Sequence, residues 1–228
     1  MCYAFVSKEI AMTRLTEDAR FWDRVARKYA TDTIKDPSGY ERTLDRTIHY
    51  LKPTDTALEL GCGTGTTALR LAPHVARIVA TDLSGEMIAI AREKAMAQGC
   101  ANVAFAVTTA ECTPQPNTSF DAVLAFNLLH LVAQREAVIA HAYKILKHGG
   151  LFLSKTPCIA EMNPLIRLAV PVARLVGKAP HVSFFAAAQL ESEIEAAGFT
   201  IIERARHGSG RKDARIFIAA RKSEAGLN

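Results

Sequence analysis

Three glycines stand between a strand-like run and a helix-like run in the first third of this chain of 228 residues. Residues 59–65 read Glu-Leu-Gly-Cys-Gly-Thr-Gly, after the apolar run 56–60 and before the helix-like run 66–71. Glycine lacks Cβ, so it adopts the positive φ of a tight turn and lets a ligand lie against the backbone. The cluster therefore predicts a strand–turn–helix unit whose bend is either a ligand-binding loop or an ordinary turn.

The spacing of these glycines argues against two common phosphate-binding loops. A dinucleotide-binding loop has the pattern G-x-G-x-x-G, whereas Gly61, Gly63 and Gly65 are each two residues apart. A P-loop needs a lysine and then Ser or Thr after its last glycine, and Gly65 is followed by two threonines. A nucleotide-dependent oxidoreductase is thus disfavoured, although it stays an alternative because it shares this kind of sheet.

Strand-like and helix-like runs alternate along most of the chain. We predict helices over 17–30, 40–51, 66–71, 85–98, 135–147 and 186–197, and strands over 56–60, 77–81, 102–108, 121–126 and 151–155. In the first helix, Phe21, Val25 and Tyr29 recur on one face, and Gly149-Gly150 is expected to close helix 135–147. Alternation of this kind predicts a parallel sheet with helices on both faces.

The end of the chain breaks this alternation. Strand-like runs 200–206 and 215–220 are joined by Gly208-Ser209-Gly210 without a helix between them. A short loop between two strands forms a hairpin, so one of these strands must be antiparallel to its neighbour.

A carboxylate follows the second predicted strand. Asp82 lies about twenty residues after the glycines, where an acid contacts ribose hydroxyls in nucleotide-binding α/β folds. The alternative is a helix cap, because Ser84-Gly85-Glu86 begins the next helical run.

Residues 59–65, Asp82, the strand entry Ser119-Phe120-Asp121 and the closing hairpin together resemble the class I S-adenosylmethionine-dependent methyltransferases, in order from Leu58 to Ala220. The resemblance implies an α/β, Rossmann-like doubly wound fold with a seven-stranded, mostly parallel sheet whose last strand is antiparallel. It also implies an enzyme that uses S-adenosylmethionine and releases S-adenosylhomocysteine. The segment from Phe21 to Tyr29 resembles the quinone- and sterol-type C-methyltransferase branch and its small-molecule relatives.

The same resemblance implies a set of cofactor-binding residues. Thr109 stands where the family usually has Asp; its hydroxyl can still accept a hydrogen bond from adenine, and Glu111 is either a substitute or a solvated surface residue. Tyr29 is either a lid contact or an aromatic packed at the helix edge. The implied residues are Tyr29, Glu59, Gly61, Cys62, Gly63, Gly65, Asp82, Leu83, Met87, Thr109, Ala110, Glu111 and Asn127.

Two residues after the fourth predicted strand are catalytic candidates. Asn127 falls near the expected position of the methyl group, where it can hydrogen-bond through its backbone or amide. His130 is either a general base, with a pKa suited to proton transfer near neutral pH, or a packing histidine. A metal is not expected, because the five cysteines are scattered singly and none has a companion histidine at ligand spacing.

The resemblance also suggests how the chain is organised. We expect one domain over 1–228, with a helical cap (1–52), a cofactor-binding core (53–156), a lid insertion (157–185) and a C-terminal helix and hairpin (186–228). The lid contains a helix-like run, 165–176, that is apolar on nearly every side and is interrupted by Pro171. Such a helix must be buried in its own domain or in a homodimer, or must face lipid or an oily ligand. The expected acceptor is therefore a small hydrophobic or amphiphilic molecule, and peripheral membrane contact through the lid is one alternative.

Charge and cysteine usage narrow the partners and the compartment. The formal net charge is +5, but acidic and basic residues are interspersed, so a nucleic-acid partner is not expected. Single, unpaired cysteines favour a reducing cytoplasm. The departure at Thr109 leaves a second functional class open, a noncatalytic S-adenosylmethionine-binding sensor or partner subunit.

Overall fold

The structure contains the predicted sheet, and the sheet has seven strands. The computed structural model describes residues 2–112, 119–162, 165–175, 177, 179–210 and 213–223, without the side chains of 2–14 and 166–168. The strands are β1 Thr56–Leu60, β2 Arg77–Asp82, β3 Val103–Val107, β4 Phe120–Phe126, β5 Leu146–Pro157, β6 Phe199–Ala205 and β7 Arg215–Lys222. The helices are α1 Cys2–Thr31, α2 Pro37–Tyr50, α3 Thr66–Leu71, α4 Gly85–Ala97, α5 Arg135–Ile145, α6 Leu165–Leu175 and α7 Ala187–Ala196.

The strand order determines where a ligand site can form. It is β3-β2-β1-β4-β5-β7-β6, with β1 to β5 parallel and β7 antiparallel to both of its neighbours. This confirms the predicted doubly wound sheet with an antiparallel last strand. The strand order reverses between the paired strands β1 and β4, because β2 and β3 follow on one side of β1 and the later strands lie on the other side. Ligands in open parallel sheets bind outside the carboxyl ends of strands at such a reversal, so the loops after β1 and β4 meet there.

Helices cover both faces of the sheet. In β4, Val123 and Ala125 pack in the layer that contains α5 and α7, whereas Ala122 and Leu124 pack in the layer that contains α2 and α3. All four side chains are fully buried. Burial on both faces explains why the central strands read as continuous apolar runs rather than as alternating ones.

The prediction that Gly149-Gly150 closes a helix is wrong. Helix α5 ends at Ile145, and both glycines lie in β5, which begins at Leu146. The β4–β5 ladder shifts here, because Phe120 pairs with Leu146 but Ala122 pairs with Leu151. A Cβ on Gly150 would lie 2.9 Å from the Lys147 carbonyl oxygen, so these glycines permit an irregularity in a strand.

The first helix packs on α4 through a face other than the one that Phe21, Val25 and Tyr29 share. Ala26 of α1 is fully buried against Met87 and Ile90 of α4, with Trp22 and Ala30 beside it. The contact face is thus 22, 26 and 30 rather than 21, 25 and 29. The small side chain of Ala26 lets the two helices approach closely, and Tyr29 is left half-exposed.

Helix α6 exposes several of its described apolar side chains. Its described side chains include Leu165, Val172 and Leu175, which are 67%, 62% and 88% exposed. Pro171 lies inside the helix, as expected, while Val176 and the side chains of 166–168 lie outside the described residues. Burial within this domain therefore does not account for these three apolar side chains. Across the described part of the chain, no helix has both the length and the apolarity needed to span a membrane.

Candidate functional site

The glycine loop between β1 and α3 is a tight turn that other elements hold in place. Gly61, Gly63 and Gly65 all have positive φ, of 65°, 52° and 73°. The Cys62 amide donates to the Thr81 carbonyl oxygen at 2.8 Å, which ties the loop to β2. A Cβ on Gly61 would lie 2.6 Å from Cδ1 of Leu128, so the loops after β1 and β4 are in direct contact. This combination of positive φ and close approach explains why glycine is needed at residue 61.

Asp82 connects the glycine loop to the beginning of α4. One carboxylate oxygen accepts the Gly63 amide at 2.9 Å, and the other accepts the Ser84 amide at 2.9 Å. The helix-cap alternative for Asp82 is wrong, because Ser84 is the N-cap of α4 and accepts the Met87 amide at 3.1 Å. Burial raises the pKa of Asp82, while the amide hydrogen bonds oppose that shift. The carboxylate thus organises the loop, and its contact with ribose stays a prediction.

Glu59 places a second carboxyl group beneath the same loop. Its side chain is 2% exposed, and its Oε2 has no hydrogen-bond partner among the residues that the structure describes. Burial, and then the neighbouring charge of Asp82, raise the pKa of Glu59 to about 8. A buried carboxyl oxygen without a partner is costly. Glu59 therefore fits a cationic or hydrogen-bond-donating ligand group.

A cavity of about 930 Å³ lies at this edge of the sheet. It brings together every residue predicted for the site except Gly65, from Tyr29 on α1 to Asn127 and His130 after β4. Gly65 instead lies beneath the loop, where an added Cβ would meet Ala91 at 2.8 Å and Phe105 at 2.9 Å. The described residues contain no group of three or more His, Cys, Asp or Glu that could hold a metal ion.

The far side of the glycine loop faces a short turn after β3. The Thr108 hydroxyl donates to the Cys112 carbonyl oxygen at 2.7 Å and closes this turn. Thr109, Ala110 and Glu111 are consequently held along the cavity wall, each only partly exposed. Thr109 and Glu111 both stay candidates for a contact with adenine.

Asn127 and His130 lie in the loop that follows β4. Asn127 has a φ of 52°, and it is the one described residue other than glycine with positive φ. Asparagine tolerates this conformation better than most residues, and such strain often occurs at functional sites. The prediction that the pKa of His130 lies near neutrality is wrong, because burial lowers it to about 4.

Several residues of the cavity wall were not predicted from the sequence. The clearest missed signal is on α1, where Leu15, Asp18, Trp22 and Tyr29 recur at spacings of three, four and seven, the period of one helix face. The loop residues carry no comparable pattern, because their positions depend on the packing of the loop. The missed residues are Leu15, Asp18, Trp22, Thr67, Thr108, Phe126, Leu128, Leu131, Val132, Ala133, Gln134 and Pro157.

The segment after α6 connects α1 to the loop after β4. The His181 amide donates to the carboxylate of Asp18 at 3.1 Å, and Arg24 donates to the Gly177 carbonyl oxygen at 2.5 Å. The Ser183 amide donates to the His130 carbonyl oxygen at 2.7 Å, and the Ser183 hydroxyl to that of Val132 at 3.0 Å. These bonds join three parts of the chain around the cavity that Asp18, His130 and Val132 line.

Comparisons with known proteins agree with this geometry. Residues 57–150 match a family model described as a methyltransferase domain. The chain is 33% identical over 121 residues to the uncharacterized methyltransferase YcgJ of Bacillus subtilis, which covers 50% of this chain and 48% of the relative. It is 33% identical over 141 residues to the ubiquinone/menaquinone biosynthesis C-methyltransferase UbiE of Brucella anthropi, which covers 57% of this chain and 53% of the relative. The chain thus spans about half the length of these curated relatives.

Solved structures show the same fold at lower sequence similarity. The crystal structure of the YcgJ protein superimposes with a TM-score of 0.67 and 20% identity, and covers 81% of this chain and 100% of that one. At this identity the likeness concerns the fold alone.

Proposed function

Since the chain contains a class I S-adenosylmethionine-dependent methyltransferase domain, we propose that it transfers a methyl group from S-adenosylmethionine to a small acceptor with an apolar body. The observation that carries the proposal is the pair of carboxyl groups, the buried Glu59 and the partly buried Asp82, beside a glycine loop at the reversal point of the sheet.

The residues around the cavity fit this cofactor. The orphaned Oε2 of Glu59 suits a cationic group, and Asp82 retains lone pairs that can accept ribose hydroxyls. Leu83 and Met87 offer apolar surface beside them, and Tyr29 lies 3.8 Å from the position that a Cβ on Gly63 would occupy. Bound S-adenosylmethionine would supply a methyl group on a sulfonium leaving group, so the protein needs chiefly to orient the acceptor and exclude water.

Apolar residues in the cavity wall support an apolar acceptor. They include Leu131, Val132, Ala133 and Pro157, and Leu15 of α1 also contributes. UbiE, which is by name a C-methyltransferase of ubiquinone and menaquinone biosynthesis, is consistent with an acceptor of this kind. A cytoplasmic location, a homodimer, membrane contact through the exposed face of α6 and the division into cap, core and lid stay predictions.

The direct test has two steps. Calorimetry should show that the purified chain binds S-adenosylmethionine and S-adenosylhomocysteine; if it binds neither, the proposal is wrong. Transfer of a radiolabelled methyl group into an organic extract is then measured with quinol, lipid and small-acid acceptors. Binding without a labelled product from any acceptor would favour the noncatalytic sensor or partner subunit.

Binding of the cofactor should release a proton from Glu59. The pKa of this group is about 8 in the folded chain, above its ordinary value of 4.5, so the free protein holds the proton at pH 7. Because the folded chain binds this proton more tightly than the unfolded chain, protonated Glu59 contributes to the free energy of unfolding. This contribution is fully present below about pH 4.5 and is lost as the pH rises through about 8. A cationic ligand favours the ionised form, so affinity should rise between about pH 6 and pH 8, by up to about tenfold per pH unit.

Calorimetry of S-adenosylmethionine binding in phosphate and in Tris buffers measures this proton release, because the two buffers differ in ionisation enthalpy. The Glu59→Gln variant keeps the shape of the side chain and should bind with no buffer dependence from this group. Equal proton release by the variant and the unmodified chain would contradict the assignment to Glu59.

A further inference from the structure

The buried pair formed by His130 and Thr156 carries an inference about the acceptor. Nδ1 of His130 lies 3.2 Å from the Thr156 hydroxyl oxygen. Thr156 is in β5 and is completely buried, whereas His130 lines the cavity. Nδ1 of the imidazole ring is thus hydrogen-bonded inside the protein, and the other ring nitrogen, Nε2, is the one left to contact a ligand.

The surroundings of Thr156 indicate which of the two groups donates. Within the described ranges, the His130 contact is the single hydrogen bond that the Thr156 hydroxyl makes. If His130 donated, the buried Thr156 O–H would have no acceptor, which costs about 1 to 3 kcal/mol. If Thr156 donates, its O–H is satisfied and only acceptor capacity is left over, which is less costly. The hydroxyl therefore donates to Nδ1, and the proton of the neutral ring resides on Nε2.

We propose that His130 presents its Nε2–H to the cavity as a hydrogen-bond donor for an oxygen atom of the methyl acceptor, and that Thr156 fixes this tautomer. The inference rests on the proposed function and names the acceptor class more closely: an apolar molecule that carries a carbonyl, ether or ionised hydroxyl oxygen. His130 in this form does not accept a proton from the acceptor, because Nε2 already carries a proton and Nδ1 already accepts the hydrogen bond of Thr156. Thr156 is a positioning residue that acts through His130.

The charge state of the ring agrees with this arrangement. Burial lowers the pKa of His130 to about 4, so the neutral form predominates at neutral pH. A neutral imidazole can hold an Nε2–H donor and an Nδ1 acceptor at the same time. Leu131, Val132 and Ala133, which follow His130 in the chain, also line the cavity, and their side chains carry no hydrogen-bonding group.

The tautomer can be tested on the protein without any cofactor. Side-chain ¹⁵N spectra distinguish the two neutral tautomers, and the His130→Phe variant assigns the His130 signals. We expect the Nε2–H tautomer to predominate at pH 7. The ratio of the Nε2–H to the Nδ1–H tautomer should fall at least about tenfold in the Thr156→Val variant and should be retained in Thr156→Ser. A predominant Nδ1–H tautomer, an imidazolium ring, or an unchanged ratio in Thr156→Val would each overturn the proposal.

A matched pair of probes tests the acceptor contact. The ketone 1-tetralone and the hydrocarbon tetralin share a carbon skeleton, but only the ketone accepts a hydrogen bond. With S-adenosylhomocysteine present, the ratio of their affinities should fall about fivefold in the His130→Phe variant, the loss expected for one neutral hydrogen bond. An unchanged ratio would overturn the contact. Failure of the proposed function would appear separately, as no binding of S-adenosylhomocysteine, and the tautomer measurement does not depend on that ligand.

Discussion

Replacing Gly65 by valine should lower the free energy of unfolding by about 3 kcal/mol, the largest stability effect that we expect from a single change in the glycine loop. Two costs combine at this residue. Its φ is 73°, which a β-branched side chain adopts only with strain, and a Cβ would lie 2.8 Å from Cβ of Ala91 and 2.9 Å from the ring of Phe105. Ala91 cannot move easily, because it is buried within α4.

Gly99 offers a matched control for this prediction. It also has positive φ, of 62°, but nothing lies within 4 Å of the position of an added Cβ. Gly99→Val should therefore lower the free energy of unfolding only by the cost of the positive φ, about 1 to 2 kcal/mol. Urea unfolding followed by circular dichroism measures both losses. Equal losses in the two variants would mean that the clash at Gly65 is relieved elsewhere and that the packing argument is wrong.

The largest effect on cofactor binding is expected from Asp82→Ala. This change removes the acceptor of the Gly63 and Ser84 amides and the predicted acceptor of the ribose hydroxyls. Hydrogen bonds to a charged group are worth about 1.5 to 3 kcal/mol each, so the dissociation constant for S-adenosylhomocysteine should rise at least about 100-fold. Calorimetry measures the affinity directly.

The exposed Asp45 on α2 provides a control with the same change in charge, and Asp45→Ala should bind like the unmodified chain. The affinity of the Asp82→Asn variant should lie between those of Asp82→Ala and Asp45→Ala. Its amide oxygen can accept one loop amide, but its NH₂ group would face the other donor. An Asp82→Ala affinity within about threefold of the control would exclude a central role for this carboxylate.

The features of the fold that were predicted correctly carry short-range signals, and the candidate site residues were identified from the same signals. The glycine loop, Asp82 and the runs of strand and helix could be identified because backbone conformation at a tight turn and the periodicity of apolar residues are local properties. The antiparallel last strand was predicted for the same reason, since a loop as short as Gly208-Ser209-Gly210 cannot contain a crossover helix.

The sequence was wrong, or left a question open, where a distant contact decides the outcome. The inner face of α1 is set by the fit of Ala26 against Met87 and Ile90, which no spacing within α1 encodes. Gly150 was interpreted as a helix cap, yet its need for glycine comes from carbonyl oxygens of Lys147 and Asp121. Burial and exposure of α6 were both left open, because an apolar composition does not say what covers a helix.

The division between sequence and structure is sharpest at the cavity. The sequence by itself determined the fold class, the glycine loop and the two carboxyl groups below it, because each depends on local conformation and strand order. Only the tertiary structure decided that Oε2 of Glu59 has no hydrogen-bond partner among the described residues and that His130 is neutral, with Nδ1 against Thr156. The pKa of a buried group and the tautomer of a histidine depend on solvent exclusion and on partners far away in the chain, and those exist only once the elements have packed.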